Sequence, residues 1–220
     1  MNIAIVLYDR FTALDAVGPY EVLSRIPGAK VTFVASEAGP VCTDNGMLTI
    51  IAESSLEELQ RPDIVLVPGG PGEVAARAGG SVLQWLREAD QTSTWTTSVC
   101  TGSLILAAAG LLDGKRATTH WLAVDQLRAL GADPVDERVV IDGKIVTGAG
   151  VSAGIDMALT LASSIAGEQV AQAIQLSIEY DPQPPFDAGS PHKAPAEIVE
   201  LLRGYSRFQS ETSEATATPS

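Results

Sequence analysis

Short, uninterrupted apolar runs alternate with longer stretches of helical periodicity along most of the chain. NIAIVL (Asn2–Leu7), KVTFVA (Lys30–Ala35), DIVLV (Asp63–Val67) and the β-branched run from Thr94 to Val99 have the composition of strands buried on both faces. Between them the pattern predicts helices over Asp15–Leu23, with Gly18 and Pro19 near the start, and over Ser81–Ala89. A further helix runs from Gly102 through an alanine-rich stretch. Ala117–Leu130, with Thr118 or Thr119 as its cap, Val151–Ala166 and Glu168–Ile178 complete the helical pattern. Two turn signals mark hairpins: Asp44-Asn45-Gly46 inside Val41–Ile51, and Asp142-Gly143 inside Arg138–Thr147.

Apolar strands alternating with helices predict an α/β fold, a mostly parallel central sheet with helices on both faces and added hairpins. The pattern reads as one domain over residues 1–206. Within it, Asp181–Pro195 (DPQPPFDAGSPHKAP) is too proline-rich for regular structure, and a short helix follows to about Gly204. Residues 207–220 are expected to form a disordered tail, since QSETSEATATPS from Gln209 cannot build a core. Ligands of such sheets gather beyond the carboxyl ends of the strands. Cys100, Gly69-Gly70 and the loop after Leu7 all follow strands, so the fold can bring them to one place.

Composition narrows the picture. Hydrophobic residues make up 45% of the chain and aromatics only 5%, so the core must be aliphatic and alanine-rich. A formal charge of −13 repels phosphate backbones and anionic membrane surfaces, which argues against nucleic acid and membrane partners. MNIAIVLYDR lacks the basic start and small-residue cleavage site of a signal peptide, and the apolar run Leu104–Leu112 falls far short of the ~20 residues of a membrane span. A cytoplasmic protein is the expectation, and with it two free thiols, Cys42 and Cys100, in place of a disulfide.

Candidate chemistry centres on Cys100, which sits where the Thr94–Val99 strand gives way to a helix. The helix dipole there favours thiolate, and a strand–Cys–helix turn lifts the side chain out of the sheet, as in a nucleophile elbow. The plain alternative is a small buried hydrophobe. Cys42 has no helix behind it and reads as structural. Gly69-Gly70, after a buried strand, could turn the Gly70 amide, with that of Thr101, toward a developing negative charge; otherwise it is a tight turn. It is neither a dinucleotide fingerprint nor a P-loop. Asp15 lies in an apolar stretch at the first helix, as a proton donor and acceptor with a raised pKa or as a helix cap. Glu21, one or two turns on, could face the same pocket. His120 falls in the first turn of its helix and could reach Cys100 only through long-range folding, and His192 lies in the proline-rich loop. No group of His, Cys, Asp and Glu has metal-ligand spacing.

The motifs IAIVLYDRFTALDAVGPYEVL, DIVLVPGGPG, SVCTGSLILAAAGLLDGKRATTHW, TGAGVSAGIDMAL and IEYDPQPPFDAGSP, in that order, resemble the DJ-1/PfpI superfamily in its isonitrile hydratase-like branch. The resemblance spans Ile3 to about Gly204. It implies a flavodoxin-like sandwich, a homodimer, and hydration of small-molecule isonitriles to N-substituted formamides without metal or organic cofactor. It also implies roles for Cys100 as nucleophile, Asp15 as acid and base, and Thr101 as a positioning hydroxyl. Protonated Asp15 would protonate the isonitrile carbon as the Cys100 thiolate attacks, forming a thioimidate that water then opens. Thr101 stands where protease, glyoxalase and deglycase branches place histidine, which counts against those activities. The same branch supplies ligand-binding domains of AraC-type regulators, so a glyoxalase- or deglycase-type enzyme and a non-enzymatic ligand-binding or redox-sensing module are the alternatives.

Overall fold

The computed structural model describes residues 1–208. Its first half runs β1 (Asn2–Val6), α1 (Ala13–Leu23), β2 (Lys30–Ala35), β3 (Gly39–Cys42), β4 (Thr49–Ala52), β5 (Ser54–Ser55), β6 (Ile64–Val67), α2 (Glu73–Ala78), α3 (Gly80–Asp90) and β7 (Trp95–Val99). The second half runs α4 (Gly102–Ala108), β8 (Arg116–Ala117), a 3-10 turn (Trp121–Ala123), α5 (Val124–Ala129), β9 (Asp133–Pro134), β10 (Val139–Asp142), β11 (Ile145–Gly148), α6 (Ala153–Ala166), α7 (Glu168–Ser177) and α8 (Ala196–Gly204).

Seven strands form the central sheet in the order β10-β11-β7-β6-β1-β2-β5. Neighbours run parallel except the β10–β11 hairpin at one edge. Ile3 pairs with Val31 on one side and Ile64 on the other, and Ile64 pairs with Trp95. β1 and β6 thus lie in the middle of the sheet, and apart from Asn2 every residue of both is buried. Such strands are covered on both faces and have no polar alternation to show. Two groups of helices pack on the sheet, α1 with α6 and α7, and α4 with α2, α3 and α5. The core between them is filled by aliphatic side chains such as Ile5, Leu66, Leu104 and Leu106, each worth roughly 1.5–3 kcal/mol when fully buried.

The expected strands and both hairpins are present, the first as β3–β4 and the second as β10–β11. Four elements depart from expectation. The Ala117–Leu130 helix is replaced by β8, the 3-10 turn and the short α5, because the buried, β-branched Thr118 and Thr119 bind Thr147 and the Cys100 carbonyl. Helix α1 begins two residues early, with Thr12 in the N-cap position, so Pro19 lies inside it and removes the bond to the Asp15 carbonyl. Helix α2 follows the glycine loop unannounced by any periodicity, and it carries a buried glutamate, Glu73. Arg207 and Phe208, assigned to the tail from sequence, pack against the body of the fold, with Phe208 buried. The remainder of the expected tail, 209–220, lies outside the described residues. Residues 181–195 hold no helix or strand. Among the described residues no helix is long and apolar enough to cross a membrane.

Candidate active site

β1, β6 and β7 are neighbours in the middle of the sheet and end on the same side, so the loops that follow them converge. The turn after β7 carries Cys100 in a left-handed conformation, φ +57°, which an L side chain adopts at a cost of about 1–3 kcal/mol. Hydrogen bonds on both sides of the residue hold it there. Its N–H is shared between the carbonyls of Gly148 and Ala149, at 3.0 and 2.9 Å. Its carbonyl accepts from the hydroxyls of Thr119 and Ser103, both at 3.1 Å. The next turn is helix α4, whose Gly102 lies so close to β6 that an added Cβ would stand 2.1 Å from the Val67 carbonyl oxygen. The elbow expected from sequence is therefore a built feature.

The glycine loop after β6 serves two partners. Gly69 donates its N–H to Asp15 Oδ2 at 2.8 Å, and Gly70 donates its N–H to Thr101 Oγ1 at 3.0 Å. The Gly70 amide is thus committed to Thr101 and does not point free into the site, which corrects the expectation of an oxyanion donor there. A side chain at Gly69 could not fit, since its Cβ would lie 2.5 Å from Thr101 N and 2.9 Å from Asp15 Oδ2. The backbone N–H groups of Thr101 and Val151 instead favour the charged form of the Cys100 sulfur, and the nearby Asp15 carboxyl opposes it.

Asp15 is completely buried, and its Oδ1 has no hydrogen-bonded partner among the described residues. Burial raises its pKa from 3.8 to about 7, against the opposing pull of the Gly69 amide and the Cys100 thiol. The same burial, together with the Asp15 charge, pushes the Cys100 thiol up, and the two amides at sulfur only partly offset this. The dipole of the short α4 does not prevail, so sulfur keeps its proton, while Asp15 divides between its charged and neutral forms near neutral pH. The buried Tyr8 stays a neutral donor, held to the Pro68 carbonyl at 2.7 Å, with burial and then Asp15 raising its pKa.

A cavity of about 230 Å³ opens above Cys100 and Thr101. His120, Leu122, Val151 and Phe208 line it, with Thr12 and Pro71. His120 reaches the cavity, yet its Nδ1 accepts the Leu122 N–H at 3.3 Å, which leaves Nε2 as the protonated nitrogen. Burial lowers its pKa and Arg207 adds to the effect, so it is a neutral wall residue. Glu21 is not brought in: six residues beyond Asp15 it is turned roughly 120° around α1, where it pairs with Arg25 at 2.8 Å. Val151, Leu122, Arg207 and Phe208 had no local sequence signal, and Thr119 read only as a helix cap. Among the described residues no group of three or more His, Cys, Asp or Glu is placed to hold a metal ion.

A central parallel sheet with a strained cysteine elbow, a buried carboxyl beside it and a glycine loop holding both defines a class of α/β proteins built around one buried thiol. The chain belongs to the DJ-1/PfpI family, whose pattern matches residues 1–164. It is 44% identical over 203 residues to an isonitrile hydratase of Pseudomonas putida, covering 92% of this chain and 89% of that protein. It is 34% identical over 171 residues to the HTH-type transcriptional regulator CdhR of Pseudomonas aeruginosa, covering 76% of this chain but 50% of the regulator. Among solved structures, a ThiJ/PfpI family protein from Pseudomonas syringae superposes with a TM-score of 0.90 at 38% identity, covering 92% of this chain and 84% of that one.

Proposed function

We propose that the protein is an isonitrile hydratase in which Cys100 is the nucleophile and Asp15 the proton carrier. The observation that carries this is the buried Asp15 carboxyl, held by the Gly69 amide at 2.8 Å and directly against the Cys100 thiol, with threonine and not histidine after the cysteine. A carboxyl raised to about 7 can both accept and return a proton near neutral pH. The similarity to the Pseudomonas putida enzyme supplies the substrate class.

The terminal carbon of an isonitrile, R–N≡C, has a lone pair that takes a proton and then accepts a nucleophile. Asp15 carboxylate removes the Cys100 proton and passes it to that carbon while sulfur forms the C–S bond, giving the thioimidate R–N=CH–S–Cys100. Water then adds to the same carbon: its hydroxyl bonds carbon and its proton travels through Asp15 to nitrogen. Collapse of the R–NH–CH(OH)–S adduct breaks the C–S bond, and the hydroxyl proton returns through Asp15 to sulfur. The product is R–NH–CHO, and the thiol is restored. The Thr101 and Val151 amides stabilise sulfur as charge returns to it. The Thr101 hydroxyl fixes the loop that holds Asp15. The sequence of steps exchanges no electrons, so a cofactor-free enzyme fits it. A cytoplasmic homodimer completes the reading.

The test is turnover of cyclohexyl isocyanide to N-cyclohexylformamide by the wild-type protein and by Cys100→Ala. Turnover abolished in the variant supports the assignment. A folded wild-type protein without turnover overturns it.

A further inference from the structure

Helix α8 buries none of its residues, yet the segment that leaves it returns to the mouth of the Cys100 cavity, where Phe208 is 7% exposed. Nothing in the packing of α8 requires that return. The segment is clamped instead by Arg207, which donates to the Pro71 carbonyl at 2.7 Å and the Gly70 carbonyl at 3.4 Å, and pairs with the buried Glu73 at 3.3 Å. The Arg207 guanidinium stacks 4.6 Å over the Phe208 ring, and the Phe208 carbonyl accepts from Gln126 at 3.2 Å. One clamp therefore ties the segment to the very loop whose amides hold Asp15 and Thr101.

We infer that Ser206–Phe208 is the wall of the pocket that receives the isonitrile's R group, with Phe208 as the residue that limits its size. The identity of the substrate rests on the hydratase reading; the wall itself rests on the cavity. Beyond the reacting groups, Phe208, Leu122, Val151 and Pro71 give the cavity most of its apolar surface, beside Thr12, Ser206 and the neutral His120. Arg207, the lining cation among the described residues, has its donors turned to the Gly70 and Pro71 carbonyls and to Glu73, so it does not present a site for an anionic substituent. At about 230 Å³ the space is below the ~300–1,000 Å³ usual for drug-sized ligands. The pocket thus selects compact, uncharged, apolar R groups.

The test compares kcat/KM for isopropyl and 1-adamantyl isocyanide in wild-type protein, Phe208→Ala and Phe208→Leu, and the rates at which Cys100 is alkylated by iodoacetamide and by its N-naphthyl analogue. Opening the wall should raise the adamantyl-to-isopropyl ratio about ten-fold in Phe208→Ala, less in Phe208→Leu, and the bulky-to-small labelling ratio should rise with it. Phe208→Leu keeps an apolar side chain and guards against simple loss of folding. Equal losses on both substrates, leaving the ratios unchanged in both variants, would mean that Phe208 only anchors the chain, and the proposal falls while the hydratase reading stands. If wild-type protein hydrates neither isonitrile, the hydratase reading fails by itself, and the labelling ratio alone then supports the wall or overturns it.

Discussion

Gly69 donates its amide proton to Asp15 Oδ2 at 2.8 Å, joining the loop after β6 to the first turn of α1. That one bond, across 54 residues of sequence, holds an acid against a thiol on a third element. Burial then sets the chemistry: it favours the neutral form of each group, so the thiol stays protonated and the carboxyl exchanges its proton near neutral pH.

Asp15 should impose a pH dependence on stability. Its pKa rises on folding from 3.8 to about 7, so its contribution is complete below about pH 4 and is lost as pH climbs through about 7. Asparagine does not titrate. The unfolding free energy of the wild type, relative to Asp15→Asn, should fall by on the order of 4 kcal/mol across that window. Urea denaturation of both proteins at intervals of pH measures it; a flat difference would mean the carboxyl keeps an ordinary pKa. Turnover in Asp15→Asn should drop roughly 10²- to 10⁴-fold with loss of the proton carrier.

The same substitution should make Cys100 easier to alkylate. Burial and then the Asp15 charge hold the thiol up, and only the second is removed by asparagine. Iodoacetamide labelling of the wild type near neutral pH should be slower than that of a free thiol, and faster in Asp15→Asn. Reactivity toward the alkylating agent and turnover of isonitrile would then move in opposite directions; an unfolding midpoint no lower than that of the wild type separates this from an opened site, which would also expose the thiol.

Thr101→Val should cost stability as well as activity. Its hydroxyl takes the buried Gly70 N–H at 3.0 Å, and valine leaves that donor unpaired, at about 1–3 kcal/mol. Thr101→Ser restores the acceptor and should recover most of both losses. Chemical denaturation and turnover of the three proteins give the comparison; equal stability in Thr101→Val would remove the loop-fixing role.

Two glycine substitutions should separate the site from its surroundings. A Cβ at Gly69 would press on Thr101 N at 2.5 Å and Asp15 Oδ2 at 2.9 Å, so Gly69→Ala should displace the acid and lower turnover at least ten-fold. Gly80, the first residue of α3, has nothing within 4 Å of an added Cβ. Gly80→Ala should leave turnover unchanged and hold or raise stability by up to ~1 kcal/mol. Thermal melts and turnover of the pair show whether the effect belongs to the site.

Much of this protein is local and could be read from the chain. NIAIVL and DIVLV are uniformly apolar because they occupy the sheet's centre, and both hairpins carry their own turn residues. Cys100 was legible as an elbow because a β-branched run abuts an alanine-rich one, and Asp15 because it interrupts an apolar stretch. Where each side chain ended up depended on partners far away in sequence. Thr118 and Thr119 leave the helix predicted for them because Thr147 and the Cys100 carbonyl lie within reach. The Gly70 amide serves Thr101, Glu21 is turned away by helical phase, and Phe208 comes back to the cavity under Arg207. The proton on sulfur follows the same logic. A helix dipole can be read from sequence, whereas the desolvation that outweighs it exists only once the chain has closed around Asp15 and Cys100.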